Sequence, residues 1–368
     1  MRGPCGGGGL AVSLLLKVRF SPVRSMITGR PVSVGSKLSR FSLVLRYSKL
    51  AHDQHRAGGL LGSARLVRGA KFFGRALFWW QDTTRWLEML EALPLAAIPP
   101  VVRKEMAEKI HRPYARLNLG TAGRTAMLIG HYTILSATLP GPVLEALVSG
   151  AELPVARLQG RRNPEDRYTI HLTRHRRFHQ QGELEVVFWD EALRCKLSTL
   201  CINLRINPNG QRVLFISGLQ GPSLPIGKTE IVHATRTLDG LRPKRAVLEA
   251  TYALARWLKV DRIVAISKAN HMSTGLGRRW RDIRAEYDEF WSEFDAELQP
   301  DGDFAMPLAL PQRDASEVPA KRRKDWLARN VRLEALTAEV GTALDALAAG
   351  SGTVTWIGDG EADEAEPG

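Results

Sequence analysis

Apolar residues recur at helical spacing in the first part of the chain, from about residue 36 to residue 150. The clearest apolar stripe consists of Phe72, Phe73, Leu77, Trp80, Trp86, Leu87 and Leu90. The pair Pro99–Pro100 is typical of a helix start, and residues 123–150 have the pattern of a helix, a Pro/Gly turn and a second helix. The pattern therefore predicts a mainly helical region over residues 36–150.

The stretch between residues 36 and 95 alternates basic and apolar residues, and two interpretations fit this alternation. A basic amphipathic helix with aromatic residues on its apolar face can rest on an anionic membrane surface. A pair of helices can instead pack the same aromatic stripe onto a protein core. The local pattern is compatible with both.

The character of the sequence changes near residue 154, where short runs rich in β-branched and aromatic residues alternate with turn signals such as Asn207-Pro208-Asn209-Gly210. Such runs predict four or five antiparallel strands in a meander. A helix over residues 243–258, a strand over 261–270, a helix over 280–294 and a long basic helix then follow. The sequence predicts an α+β fold: a helical N-terminal half, then an antiparallel β-meander with a β-loop-α-β unit.

These changes in pattern divide the chain into four expected segments. We expect residues 1–35, which contain a glycine run, to be disordered or to include a misassigned start. The helical region over 36–150 and an α+β domain over 151–348 follow. The end of the chain is rich in Asp, Glu and Gly, so we expect residues 349–368 to form a disordered acidic tail.

The charge balance points to an anionic partner. The chain of 368 residues carries 52 Lys and Arg against 38 Asp and Glu, which gives a formal net charge of +14. Such an excess favours an anionic membrane surface or a small phosphate-bearing ligand, although an Arg-rich surface without a specific partner has the same composition. No helix-turn-helix or zinc-finger spacing is present, so nucleic acid is the less favoured partner. The sequence gives no prediction of oligomeric state.

The cysteines and histidines do not indicate a metal site. The three cysteines form no CxxC motif, which favours a reducing compartment. His171, His175 and His179 are spaced four apart, but they follow a strand-like run, so no metal is predicted. The apolar run over residues 10–16 is far shorter than the ~20 residues that span a bilayer. We expect a cytoplasmic protein that can be peripheral at the inner membrane.

The helix start at Pro243 is the first candidate site. The positive end of a helix disfavours cations, yet Arg242, Lys244 and Arg245 stand there. A bound anion would offset this repulsion, because backbone N–H groups at a helix start already form an anion site. Ion pairs with Asp239, Glu230 and Glu249 are the alternative explanation. The residues predicted to bind the anion or a cofactor are Lys228 and Arg236, in an expected irregular segment, with Gly240, Arg242 and Lys244.

The end of the predicted strand over residues 261–270 is the second candidate site. Ligands of α/β units usually bind at the carboxyl ends of strands, where Ser267, Asn270 and His271 stand. His271 could serve as a general base with a pKa near neutrality. Its orienting carboxylate would have to come from elsewhere, with Glu183 and Asp288 as candidates. Gln220, at the end of an earlier strand, is predicted to lie near the ligand.

Several segments in the same order resemble the VirK/YbjX family of Gram-negative bacteria, from about residue 72 to residue 347. They are GELEVVFWD, FISGLQG, GLRPKRAVLEATYALARWLKVDRIVAISKANH, EYDEFWSEF and LPLALP…KRRKDWLARNVRLEAL. The resemblance implies an intracellular role in envelope integrity, surface-protein display or virulence, and it implies no reaction. The family usually has Glu-Gly-Glu-Leu where this chain has Gln181-Gly182-Glu183-Leu184.

The β-loop-α-β unit also resembles the core of GNAT-type N-acyltransferases. In those enzymes the pyrophosphate of an acyl-coenzyme A lies at a helix start, which corresponds here to Pro243. The phosphate-binding signature is incomplete, since only Gly240 matches it. The alternative function is therefore an acyltransferase that uses acyl-coenzyme A to modify an amine of a lipid, peptide or amino acid. A groove for the pantetheine arm would favour the enzyme, and a filled surface would favour an interaction protein.

Overall fold

Several helices of this protein pack against one sheet. The computed structural model describes residues 39–53, 62–161, 163–174, 180–222, 225–272, 287–312 and 314–355. The helices that precede the sheet are α1 (Arg40–Asp53), α2 (Gly62–Phe78), α3 (Trp80–Ala92), α4 (Pro100–Glu108), α5 (Thr121–Thr138) and α6 (Gly141–Val148). A 3-10 turn over Lys109–His111 continues α4. The helices that follow the meander are α7 (Lys228–Thr237), α8 (Pro243–Trp257), α9 (Tyr287–Ser292) and α10 (Ala320–Ala348).

The strands of the described residues form one eight-stranded sheet. They are β1 (Leu153–Gln159), β2 (Arg167–Thr173), β3 (Leu184–Asp190), β4 (Cys195–Ile206), β5 (Arg212–Gln220), β6 (Arg262–Ala265), β7 (Glu297–Leu298) and β8 (Phe304–Met306). Their spatial order is β1-β2-β3-β4-β5-β6-β8-β7, and only β5 and β6 pair in parallel. The predicted α+β class and helical N-terminal half are confirmed, and the meander predicted with four or five antiparallel strands has five.

The register gives the meander one apolar and one polar face, and both are buried. Ile170, Val186 and Leu200 lie on the apolar face. On the opposite face Thr173 pairs with Glu185, and Glu185 pairs with Cys201. Asp and Glu side chains are almost never fully buried unless they are paired. The charged groups on the buried polar face therefore need partners within the protein.

Helices pack on the sheet and against its edges. α8 contacts β3 and β4, α10 contacts β1 and α8, and α5 contacts β4 where β4 extends beyond β3. There the Leu204 N–H donates to Nδ1 of His131 at 3.1 Å. Gly130 allows this close approach, because a Cβ at that position would lie 2.8 Å from the Ile206 nitrogen. One hydrophobic core extends from Leu43 in α1 to Leu347 in α10.

Two local predictions differ from the structure, and a third falls only partly within the described residues. The expected irregular segment with Lys228 and Arg236 is helix α7. The strand predicted over 261–270 ends at Ala265, because the following residues form a turn that is hydrogen-bonded to Asp303. Of the helix predicted over 280–294, the part before residue 287 lies outside the described residues.

The ends of the chain contribute less to the described structure. Thr355, within the predicted acidic tail, exchanges two backbone hydrogen bonds of 2.9 Å with Glu152. Residues 1–38 and 356–368 lie outside the described residues, as do His175 and His179 of the histidine series. No described helix has the length and apolar character needed to cross a membrane.

Candidate functional site

The helix start at Pro243 is built as the sequence predicts. Arg242 is the N-cap of α8, Pro243 is its first residue, and Gly240 before it adopts φ +84°. The cations have partners within the protein: Arg242 pairs with Glu293, and Arg245 pairs with Glu249. Lys244 is half-buried, with its ammonium 5.9 Å from the centre of the Phe290 ring. Protein groups therefore already offset much of the charge that a bound anion was expected to offset.

Of the three carboxylates proposed as ion-pair partners for these cations, one pairs with a cation at the helix start and two have other contacts. Glu249 does pair with Arg245, but Glu230 accepts the Gly227 N–H at 2.8 Å and caps α7. Asp239 joins distant elements, because it binds Arg161 at 3.0 Å and Arg332 of α10 at 2.8 Å. The predicted anion-binding residues Lys228 and Arg236 are exposed on α7. The anion site at Pro243 stays a prediction.

The second candidate site is a buried turn. His271 is 1% exposed and stacks on Tyr287, with 5.4 Å between ring centres. Burial lowers the pKa of His271 to about 4, in place of the expected value near neutrality. A base with such a pKa is unprotonated at pH 7 but accepts protons weakly.

Its neighbours have mainly structural contacts. Ser267 Oγ accepts the Asn270 N–H at 3.2 Å, and the Asn270 amide donates to Asp303 at 2.9 Å. Asp288 accepts the Lys268 N–H at 2.9 Å. His271 stacks on Tyr287, Asp288 accepts the Lys268 N–H, and Glu183 pairs with Lys109. Their catalytic role stays a prediction.

Helix α9 packs against the end of β5 and the turn after β6, beyond the last residue pair of these two strands. The strands pair only as far as Ile216 and Ala265, while β5 continues to Gln220 beside β4. The hydroxyl of Tyr287 accepts from the Leu219 N–H at 3.4 Å and from the Gln220 amide at 3.2 Å. The Trp291 indole donates to the Ile266 carbonyl at 2.9 Å. Gln220 therefore contacts α9, and this part of the crevice is filled by protein.

Glu183 lies at the centre of a buried charged cluster. Its carboxylate pairs with Lys109 and with Arg174 Nε, the latter at 3.4 Å. It also accepts hydrogen bonds from the Tyr114 hydroxyl at 2.9 Å and the Tyr132 hydroxyl at 2.5 Å. All five side chains are at most 4% exposed. The cluster joins the helical region to the start of β3.

The cluster fixes the charge state of its members. Burial alone would raise the pKa of Glu183, but Lys109 and Arg174 outweigh it and lower this pKa to about 2. Burial lowers the pKa of Lys109 to about 8, although Glu183 opposes the change. Glu183 is thus an ionised counter-ion with four donors around it, which makes it a weak proton acceptor.

Glu185, two residues further along β3, has the opposite environment. It is 2% exposed, and burial raises its pKa to about 7. One of its carboxylate oxygens has no hydrogen-bond partner, and neither has the hydroxyl of Thr173 on the neighbouring strand. Two buried carboxylates only two residues apart are therefore fully paired in one case and poorly paired in the other.

A basic cleft lies between α2 and the 3-10 turn that continues α4. It consists of two adjoining cavities of about 210 and 300 Å³, which share Arg68, Glu108, Arg112 and Pro113. Six cationic residues and two carboxylates line the cleft: Arg68, Lys71, Arg75, Lys104, Lys109 and Arg112 with Glu105 and Glu108. Lys71 and Arg75, both exposed, form no ion pair with another described residue. The cleft therefore has an excess of positive charge.

His111 lies in the wall of this cleft with both ring nitrogens unpartnered. Its side chain is between the rings of Phe72 and Trp79, at 5.4 and 5.7 Å between centres, and the residue is 8% exposed. Burial, and then the charges of Arg75 and Arg124, lower its pKa to about 4. The imidazole is therefore neutral at pH 7, with one donor and one acceptor nitrogen.

The outer surface of α1 and α2, which we call the α1–α2 surface, exposes large apolar side chains. They are Phe41, Leu45, Leu77 and Phe78, which are 50%, 45%, 50% and 79% exposed. The Phe41 ring packs edge-to-face on Phe73 of α2, with 6.2 Å between ring centres, and this contact connects the two helices. Lys49 is exposed on α1, and the sequence of α2 contains no acidic residue. Phe72 is buried in the core, as the packing interpretation predicts, and contact of the exposed residues with a membrane stays a prediction.

Sequence reasoning missed the cleft and most of the charged cluster. Glu183 was singled out, but Lys109, Tyr114, Tyr132 and Arg174 were not. A usable signal was the run Lys109-Ile110-His111-Arg112-Pro113-Tyr114, where basic and aromatic residues follow a helix directly. The contacts themselves join residues about 50 to 75 positions apart.

These features define an α+β protein whose helical region and mixed sheet meet at a buried charged cluster beside a basic cleft. The chain belongs to the family described as "Protein of unknown function (DUF535)", whose profile matches residues 62–342. This match confirms the resemblance to the VirK/YbjX family.

Two curated relatives illustrate the family. The chain is 27% identical over 325 residues to "Uncharacterized protein YbjX" of Escherichia coli (strain K12), which covers 86% of this chain and 94% of the relative. It is 26% identical over 151 residues to "Uncharacterized protein" of Haemophilus influenzae, which covers 38% of this chain and 50% of the relative. No solved structure matches the chain.

Proposed function

We propose that this protein is a peripheral protein of the inner membrane that binds anionic lipid through the α1–α2 surface and supports the integrity of the cell envelope. The observation that carries the proposal is the exposure of Phe41, Leu77 and Phe78 beside the cations of two helices. Interfacial helices combine these features, with an apolar face in the headgroup region and Lys or Arg around it. The net charge of +14 also favours binding to an anionic surface.

The energy available from this surface is sufficient for reversible binding. Full burial of one Phe or Leu side chain contributes about 1.5–3 kcal/mol, and Phe78 is 79% exposed in the free protein. Each Lys or Arg near an anionic surface contributes about 1 kcal/mol. A few such residues together correspond to a weak but measurable affinity for vesicles.

Co-sedimentation with vesicles tests the proposal. We expect the wild type to sediment with vesicles that contain phosphatidylglycerol and to remain in solution with neutral vesicles. Binding should weaken as added salt reduces the Debye length from ~10 Å at 0.1 M to ~3 Å at 1 M. Phe78→Ser should reduce binding about 10-fold. Val331→Ser is the matched control, because Val331 is 66% exposed on α10, far along the chain from this surface.

Two results would contradict the proposal. Equal binding to anionic and neutral vesicles would mean that charge has no part in it. An equal loss of binding in Phe78→Ser and Val331→Ser would mean that the α1–α2 surface is not the contact. The role in the envelope requires a separate experiment, in which a deletion strain complemented with Phe78→Ser stays as sensitive to membrane-active cationic peptides as the deletion strain itself.

The helix start at Pro243 belongs to the proposal as a second place for an anion. The backbone N–H groups of the first turn of α8 and the exposed Arg242 support it. The ion pair between Arg242 and Glu293 competes with a bound anion. We therefore expect this place to bind anions more weakly than a site whose cations have no carboxylate partner.

An N-acyltransferase is the second candidate function. Its support is the parallel pair β5/β6 with α8 in the connection, because ligands of open α/β units bind outside the carboxyl ends of such strands. Tyr287 and Trp291 fill the crevice, so an acyl-coenzyme A would require α9 to move. If the function is correct, Tyr287→Ala should increase the affinity for acetyl-coenzyme A in calorimetric titration. No binding by either form would contradict it.

A further inference from the structure

We propose that the basic cleft between α2 and the 3-10 turn Lys109–His111 is a binding site for a phosphate monoester, which Lys71, Arg75 and His111 hold. The inference goes beyond membrane binding, because the cleft would hold a single phosphate group, whereas the α1–α2 surface would place its exposed apolar side chains in lipid. The cations of α2 are common to both. The phosphate group can belong to a soluble metabolite or to a lipid headgroup, since the chemistry of recognition is the same for both.

The first support is the imbalance of charge in the cleft. Six cationic side chains line it against Glu105 and Glu108. Lys109 pairs with Glu183 behind the cleft, and Glu108 pairs with Lys104 and Arg112. Lys71 and Arg75 have no such partner among the described residues. A phosphate monoester carries up to two negative charges at neutral pH and would neutralise these two cations. The guanidinium of Arg75 could also bind two phosphate oxygens at once.

The second support is His111, which is independent of the charge count. A polar side chain that is 8% exposed normally has a hydrogen-bond partner, yet both nitrogens of His111 have none. The ring is fixed between Phe72 and Trp79 and lines the 300 Å³ cavity, so the ligand would not have to order it. The N–H can donate to a phosphate oxygen, and the other nitrogen can accept from a hydroxyl of the ligand.

The size of the cleft is compatible with a small ligand. Small-molecule sites usually measure about 300–1,000 Å³, and the larger cavity alone has about 300 Å³. Its wall combines cations, an aromatic side chain and a buried imidazole, and its helices belong to the hydrophobic core through Phe72 and Met106. The site is therefore preformed.

Calorimetric titration of the full chain with glycerol 3-phosphate at pH 7 tests the inference. We expect the wild type to bind, and Arg75→Ala, whose side chain is exposed and contributes little to the core, to weaken binding about 10- to 150-fold. His111→Gln should weaken binding as well, and a thermal unfolding curve must show that it is folded. Arg256→Ala is the matched control, because Arg256 is an exposed arginine in the last turn of α8, outside both candidate anion sites.

The source of the phosphate is decided by a second arm of the experiment. Vesicles with phosphatidic acid supply the same monoester on a lipid, and competition by glycerol 3-phosphate would show that both occupy the cleft. Absence of binding of either probe by the wild type would overturn the inference. Unchanged affinity in Arg75→Ala, or an equal loss of affinity in Arg256→Ala, would also overturn it. Membrane binding through Phe78 could fail while the titration succeeds, so the two proposals are tested separately.

Discussion

The buried cluster around Glu183 gives the sharpest prediction about stability. In Glu183→Gln the side chain keeps its size, but Lys109 and Arg174 lose their common counter-ion. Unit charges 3.4 Å apart, the Arg174–Glu183 distance, attract by about 5 kcal/mol at an effective dielectric constant of about 20. Lys109 can release its proton when the carboxylate is lost, because its pKa is only about 8, whereas Arg174 cannot.

We therefore expect Glu183→Gln to reduce the free energy of unfolding by about 3–5 kcal/mol at pH 7, the range for breaking one partner out of a buried ion pair. Urea denaturation followed by circular dichroism measures this change. An unchanged slope of the free energy of unfolding against urea concentration would show that the folded state is otherwise intact. Lys109→Met together with Glu183→Gln should cost less than the sum of the single changes, by about 0.5–3 kcal/mol.

The result that would refute this reasoning is a Glu183→Gln protein within about 1 kcal/mol of the wild type. It would mean that water or another anion compensates Arg174 in the variant, and that the cluster is less enclosed than its exposure of at most 4% indicates. Strict additivity in the double variant would contradict the direct pairing of Lys109 with Glu183.

Three further predictions follow from single contacts. The pKa of Glu185 is raised from 4.5 to about 7, so the folded state binds its proton more tightly than the unfolded state does. The free energy of unfolding should therefore fall by about 3 kcal/mol as the pH rises from 4.5 to 7. In urea titrations at several pH values, Glu185→Gln should not show this fall. Gly182→Ala should destabilise the protein by about 1–3 kcal/mol, because its Cβ would lie 2.9 Å from the Ile202 carbonyl oxygen, whereas Gly74→Ala on α2, with no neighbour within 4 Å, should not lower the thermal midpoint. Arg242→Ala breaks an exposed ion pair and should change the free energy of unfolding by at most about 1 kcal/mol; a larger loss would show that the pair with Glu293 matters more than its exposure of about one half suggests.

The difference between Glu183 and Glu185 shows where sequence reasoning stops. Both residues stand in the same strand-like run, two positions apart, so the same local pattern describes both. Lys109 and Arg174 reach Glu183 from other parts of the chain, while Glu185 keeps an unpartnered oxygen. A pKa depends on the charges within a few ångströms, and only the tertiary structure decides which charges those are.

The sequence by itself determined the features that depend on residues close together in the chain. The start of α8 at Pro243 follows from the fixed φ of proline, and the five strands of the meander follow from runs of residues that favour extended backbone. The tertiary structure decided the partners: Glu293 for Arg242, α9 in the crevice between β5 and β6, and the cleft where α2 meets His111. These contacts join residues far apart in the chain, and the local periodicity that specifies a helix or strand carries no information about them.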